Sequence, residues 1–260
     1  RYNKETYCIK FRVEQKSSFS RMLEIIYKIW PQFRELPEEK VIRWHETYNA
    51  QTTIDNEKYF ALHTSPLVPT SMIINVDLFH SEIEEYRNQF SRWGINHVNF
   101  PRYGIPLTNL TGSLEEENDP SRMPLDEHFM YHQDKDIIHD NDINVHTEIC
   151  NLSSLDPINP IKPYLVRSSI LRWDTMGHFK PHIDVGLPAP NLRLWGTTNP
   201  NMRLKIDGEM IRDFEPGRIY IIDTSKIHEG WATDNNVYQF FIGCSIESYE
   251  TLLQLSQVNR

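Results

Sequence analysis

His182-Ile183-Asp184 sets an imidazole and a carboxylate two residues apart at the end of a predicted strand, so the strand period of two sends both to one face. His228 follows 44 residues after Asp184, just past the strand-like run Arg218-Ile-Tyr-Ile-Ile-Asp, where barrel mouths present functional side chains. Two imidazoles and one carboxylate are the ligand types of redox-active ferrous iron. Three ligands on one octahedral face leave three positions for a bidentate cosubstrate and dioxygen. The same three residues could equally hold a catalytic zinc for hydrolysis. The bland alternative is a surface His-x-Asp pair and an unrelated loop histidine. Against it stands the ordered series of turn, hairpin, Pro-Gly turn and strand between the pair and His228.

Such a triad needs short strands to position it, and residue 162 is followed by a run of them: 164–173, 177–185, 192–198, 202–206, 209–211, 218–223 and 238–246. Asp207-Gly208 between two of these is a two-residue hairpin signal, because both central residues need positive φ. Pro216-Gly217 suits a type II turn. This spacing predicts a mainly β fold with α additions, a jelly roll or barrel.

Upstream, apolar positions at helical spacing predict two helices over 18–50. Strands are expected at Tyr59–His63 and Met72–Leu78. A further helix is expected to open at Ser81, with Glu84 completing a capping box. From 94 to 162 scattered prolines among Asn, Asp and Gly predict long loops. The expected organisation is therefore an N-terminal α/β segment over 1–95 packed on the barrel, loops over 96–162 including a substrate lid, and a β core over 163–250, all one structural unit. Arg102, Tyr103 and Asn109 lie in the loop 99–112, which either covers the barrel mouth and contacts substrate or seals the core.

With 260 residues, 39% hydrophobic and 24% charged, the chain can bury a sizeable core. A formal net charge of −9 offers no electrostatic footprint for nucleic acid, and no apolar run is long enough to span a membrane. Cys8, Cys150 and Cys244 are far apart and cannot all pair internally, which fits a reducing, cytoplasmic setting. Asn109-Leu-Thr and Asn151-Leu-Ser are sequons of a kind that chance supplies often.

Gly177-His-Phe-Lys-Pro-His-Ile-Asp-Val, Asn191-Leu-Arg-Leu-Trp and Phe214-Glu-Pro-Gly-Arg-Ile-Tyr-Ile-Ile-Asp-Thr-Ser-Lys-Ile-His-Glu-Gly-Trp follow in order. Together they resemble the aspartyl/asparaginyl β-hydroxylase-like branch of the 2-oxoglutarate oxygenases, which includes free-proline hydroxylases. The resemblance spans about residues 164–246. It implies a cupin-like double-stranded β-helix that binds Fe(II) through His182, Asp184 and His228. It further implies a dioxygenase that uses 2-oxoglutarate to hydroxylate an amino acid, a peptide side chain or a small polar metabolite, releasing succinate and CO2. The animal β-hydroxylases carry Gly where this chain has Asp184, so on that point the sequence is more similar to the proline hydroxylases.

Ten residues beyond the distal histidine the family usually places an arginine that clasps the far carboxylate of 2-oxoglutarate; here Tyr238 stands there, followed by Gln239. Arg193, on the apolar strand Leu192-Arg-Leu-Trp, is the candidate replacement, unless it faces outward as an ordinary strand charge. By the same resemblance Ser169 matches a serine that contacts 2-oxoglutarate. Tyr238 either bonds the cosubstrate or fills core. Trp195 and Trp231 either wall the pocket or pack in the core. The absent arginine also leaves open a cupin-like binding or regulatory protein without turnover.

Overall fold

The computed structural model describes residues 56–93, 101–114, 140–182 and 192–257, with scattered positions between 23 and 42. In chain order its strands are β1 (Leu67–Ile73), β2 (Ser91–Arg92), β3 (Arg102–Pro106), β4 (Thr108–Asn109) and β5 (Val145–His146). Then come β6 (Leu165–Trp173), β7 (His178–His182), β8 (Leu192–Thr197) and β9 (Met202–Ile206). The last four are β10 (Glu209–Ile211), β11 (Arg218–Ile222), β12 (His228–Ala232) and β13 (Val237–Cys244).

From β6 onward the chain alternates between two antiparallel sheets. The larger has the order β1-β11-β8-β13-β6-β3-β2 and the smaller β10-β9-β12-β7, the winding of a double-stranded β-helix. The small sheet is covered on one face only, so β9 alternates: Met202, Leu204 and Ile206 are buried while Arg203 and Lys205 are half-buried. Strand β8 is buried at every residue, because the small sheet covers one of its faces and helical segments cover the other.

Those segments are α1 (Asn56–Leu62), α2 (Val76–Ile83), a 3-10 run over Ser153–Tyr164, and α3 (Tyr249–Gln257). Asn75 caps α2 by accepting from the Leu78 N–H at 3.1 Å. Phe79 and Ile83, one turn apart, are its buried face, and Phe79 meets Phe240 of β13 edge-on at 5.0 Å. In the 3-10 run Leu155, Ile158 and Ile161 recur every third residue, matching its three-residue turn, and all three are fully buried.

Several sequence expectations change here. Residues 59–63 lie in or beside a helix, with Tyr59, Leu62 and His63 buried at helical spacing rather than alternating. The next strand is Leu67–Ile73 instead of Met72–Leu78. It tolerates Pro69 because it is an edge strand bonded only to β11. Ser81 sits inside α2 and caps nothing. Within the expected lid, β3 is a full member of the large sheet beside β6, and three prolines belong to the 3-10 run. Of the helices expected over 18–50, positions 23–24, 27, 38–39 and 41–42 are helical, and most of the rest lie outside the described residues.

Both turn readings hold: Asp207 and Gly208 have φ of 52° and 84°, and Gly217 has φ of 85°. A Cβ on Gly217 would also run into the Ile74 carbonyl. Among the described residues, no helix is long and apolar enough to cross a membrane. Cys150 and Cys244 are buried free thiols whose pKa burial pushes up to about 12, so both are held inert.

Candidate metal centre

His182 ends β7 and His228 begins β12, and the two are register partners in the small sheet. Their ring centres are 4.2 Å apart. Each Nδ1 faces a backbone carbonyl two residues back, Lys180 O at 2.7 Å for His182 and Lys226 O at 3.0 Å for His228. A carbonyl can only accept, so each Nδ1 carries a proton, and the neutral tautomer this contact selects is the one with its lone pair on Nε2. That is the tautomer a metal-binding imidazole needs, with the orienting hydrogen bond in place.

The sequence places His228 just past the end of the strand that opens at Arg218, and in the structure it begins the next strand, β12. On β12 the period of two turns Glu229 to the outer face, where it binds Lys205 at 3.1 Å and His178 at 3.3 Å. His228 therefore faces the space between the sheets. Asp184, the third expected ligand, lies outside the described residues. Among the described residues no three His, Cys, Asp or Glu side chains gather as a metal site. The two imidazoles fit ferrous iron as donors, and the set is complete only if Asp184 supplies the carboxylate.

Both histidines line a cavity of about 180 Å³ between the sheets. At about 30 Å³ per water this holds roughly six waters, the scale of a small organic acid. Its wall is mainly aromatic and aliphatic, including Trp93, Trp173, Trp195, Phe179 and Phe241, with Arg167, Arg193, Thr224, Glu229 and Gln239 as polar members. Arg193 is 7% exposed, and its guanidinium lies 5.0 Å from the Phe241 ring centre. Gly243 makes room for it: a Cβ there would stand 2.5 Å from Arg193 Nη1. The Thr224 hydroxyl is buried and has no hydrogen-bond partner among the described residues.

Of the other sequence candidates, Trp195 lines the cavity, and Ser169 lies buried on the same face of β6 as Arg167 and Leu171. Tyr238 does not reach the cavity. It faces the helical side of β13 and packs against Phe79, His80 and Phe90, while Gln239 and Phe241 point inward. Trp231 sits on the outer face of the small sheet beside His178. Tyr103 turns to the helical face of β3, under the Arg172 guanidinium at 4.6 Å. Asn109 is fully buried in a turn, its amide donating to Ser113 O and its carbonyl accepting from Thr111 and Gly112 N–H. These bonds make it structural and leave it unfit to carry a sugar in the folded chain. Arg102 is buried on the inner face of β3, among rings that line the cavity.

Arg167, Thr224, Gln239, Phe179 and Trp93 escaped the sequence reading. Arg167 was within reach, since it stands two residues before Ser169 and shares its face. Phe179 was not, because it and His182 share the cavity only through a register irregularity between β7 and β12.

The sequence matches no family model and no curated protein. Among solved structures, a Trichoplax adhaerens prolyl hydroxylase in complex with a hypoxia inducible factor peptide is similar at 12% identity and a TM-score of 0.41, over 85% of this chain and 98% of that one. YcfD, an Escherichia coli ribosomal oxygenase in complex with cobalt and succinic acid, is similar at 21% identity and a TM-score of 0.26, over 32% of this chain and 24% of that one. A Streptococcus pyogenes protein of unknown function, SPY1581, is similar at 15% identity and a TM-score of 0.25, over 32% and 64%. The chain thus matches under two thirds of the length of SPY1581 and about a quarter of YcfD.

Proposed function

We propose that this chain is an Fe(II) and 2-oxoglutarate dependent oxygenase that hydroxylates a small polar molecule or a peptide side chain. The observation that carries the reading is the pair of adjacent imidazoles, each with its Nδ1 held by a backbone carbonyl two residues back, at a cavity that also holds buried arginine. Bound iron would activate dioxygen, the oxidant, with 2-oxoglutarate as co-reductant leaving as succinate and CO2, and the protein supplies geometry. His182, His228 and Asp184 hold the metal. Arg193, with Arg167 on the same seven-stranded sheet, binds the far carboxylate of 2-oxoglutarate. Ser169 and Thr224 offer hydroxyls to the same molecule. The aromatic wall keeps bulk water from the reacting carbon.

The test is succinate formation by the purified chain with ferrous iron and 2-oxoglutarate, with parallel metal analysis. Turnover that Asp184→Ala and His228→Ala each abolish, together with loss of bound metal, is expected. Metal retained by both variants, or no succinate with any candidate substrate, overturns the reading. Zinc-dependent hydrolysis in the same assays would point to the hydrolase alternative.

A further inference from the structure

Arg102 is a buried cation without an anion among the described residues. It lies on β3 in register with Trp173 of β6 and is 3% exposed. Its Cζ is 4.4 Å from the Phe179 ring centre and 5.8 Å from those of Trp93 and Trp173. Among the described residues no carboxylate pairs with it, and burial alone pulls its pKa down to about 10. Its Nε and the indole N–H groups of Trp93 and Trp173 are all buried without a hydrogen-bond partner among the described residues.

Burying an ion without a counter-charge costs more than contact with aromatic faces returns, and a buried donor left without an acceptor adds to that cost. All three unanswered groups are donors only, so what each lacks is an acceptor. The three rings around the guanidinium line the cavity. Phe179 stands between the cation and the metal-side imidazole, with its ring centre 4.1 Å from that of His182.

We propose that Arg102, with the indole N–H groups of Trp93 and Trp173, forms a subsite for a carboxylate carried by the substrate. The molecule oxidised is then a small carboxylic acid or an acidic side chain, anchored one ring away from the imidazole pair. A planar carboxylate matches the guanidinium fork, and the cavity reaches that fork through the rings of Trp93, Trp173 and Phe179 that separate the two. The inference rests on the oxygenase reading only in calling the ligand a substrate.

Tryptophan fluorescence of the full chain, titrated with propionate and with the neutral isostere propionamide, tests it. Propionate is expected to give a saturable response that propionamide does not give. Arg193→Met should keep that response, and Arg102→Met should weaken it at least about tenfold, the loss of a charge-assisted hydrogen bond. If Arg102→Met does not fold, Trp173→Phe, which keeps a ring and removes one donor, should weaken binding several-fold. A response indifferent to both substitutions, or one that inorganic phosphate reproduces equally, overturns the subsite. Propionate binding without succinate formation would instead sink the oxygenase reading and leave the anion site standing.

Discussion

At Arg193 a guanidinium is threaded between Phe241 and the bare backbone of Gly243, aimed into the cavity that the two imidazoles edge. If it clasps 2-oxoglutarate, Arg193→Met should raise the concentration needed for half-maximal succinate formation by about tenfold or more, the worth of a charged hydrogen bond. Gly243→Ala should move the same constant in the same direction by displacing the guanidinium. Initial rates against 2-oxoglutarate concentration check both, and an unchanged constant in Arg193→Met rules the role out. Residue identity along a strand was legible in the sequence, but parity was not always. Tyr238 and Gln239 are adjacent, and the strand period alone puts one in the helical core and the other in the cavity. Position 238 drew attention because a family resemblance pointed there; the side chain that meets the cavity is the next one.

Among the elements, α2 and the 3-10 run over Ser153–Tyr164 are joined by a single carboxylate. Glu82 accepts from Ser153 N–H at 3.0 Å and from Ser154 N–H at 2.9 Å, satisfying the open end of the run. Burial would raise its pKa, yet these hydrogen bonds outweigh that and hold it below the usual value. Glu82→Ala should therefore lower stability by about 1 kcal/mol, as loss of an N-cap does, read from urea unfolding at neutral pH. No change would mean that water serves the two N–H groups equally well. Strand order from β6 onward could be read from alternation and turn chemistry, because each strand there has one wet face or a clear turn at its end. The α1 and 3-10 segments could not, since Tyr59 to His63 is too short a run to separate helix from strand, and prolines every third residue look like loop until the threefold spacing of Leu155, Ile158 and Ile161 is noticed.

For the molecule as a whole, His63 ties stability to pH. It is buried, stacks on Tyr59 at 4.0 Å, and Tyr59 in turn donates to Asp223 at 2.9 Å. Burial pushes the imidazole pKa below its ordinary 6.5, against the weaker pull of the Tyr59 carbonyl and Asp223. The unfolded chain then takes up a proton near pH 6.5 that the folded chain refuses. The stabilisation is present at neutral pH and is lost as pH falls through and below that value. The urea midpoint should drop between about pH 7 and 5, and His63→Phe should flatten that part of the curve. An identical slope in the variant would assign the acid sensitivity elsewhere.

The two walls of the molecule are chemically unlike. The imidazoles belong to the four-stranded sheet and the guanidinium groups of Arg167 and Arg193 to the seven-stranded one. Any compound that touches both kinds of group is a rivet through the sandwich, so its arrival should slow amide exchange in β7 and β12 together with β8. A metal alone, gripped from one side, would quiet only the smaller layer.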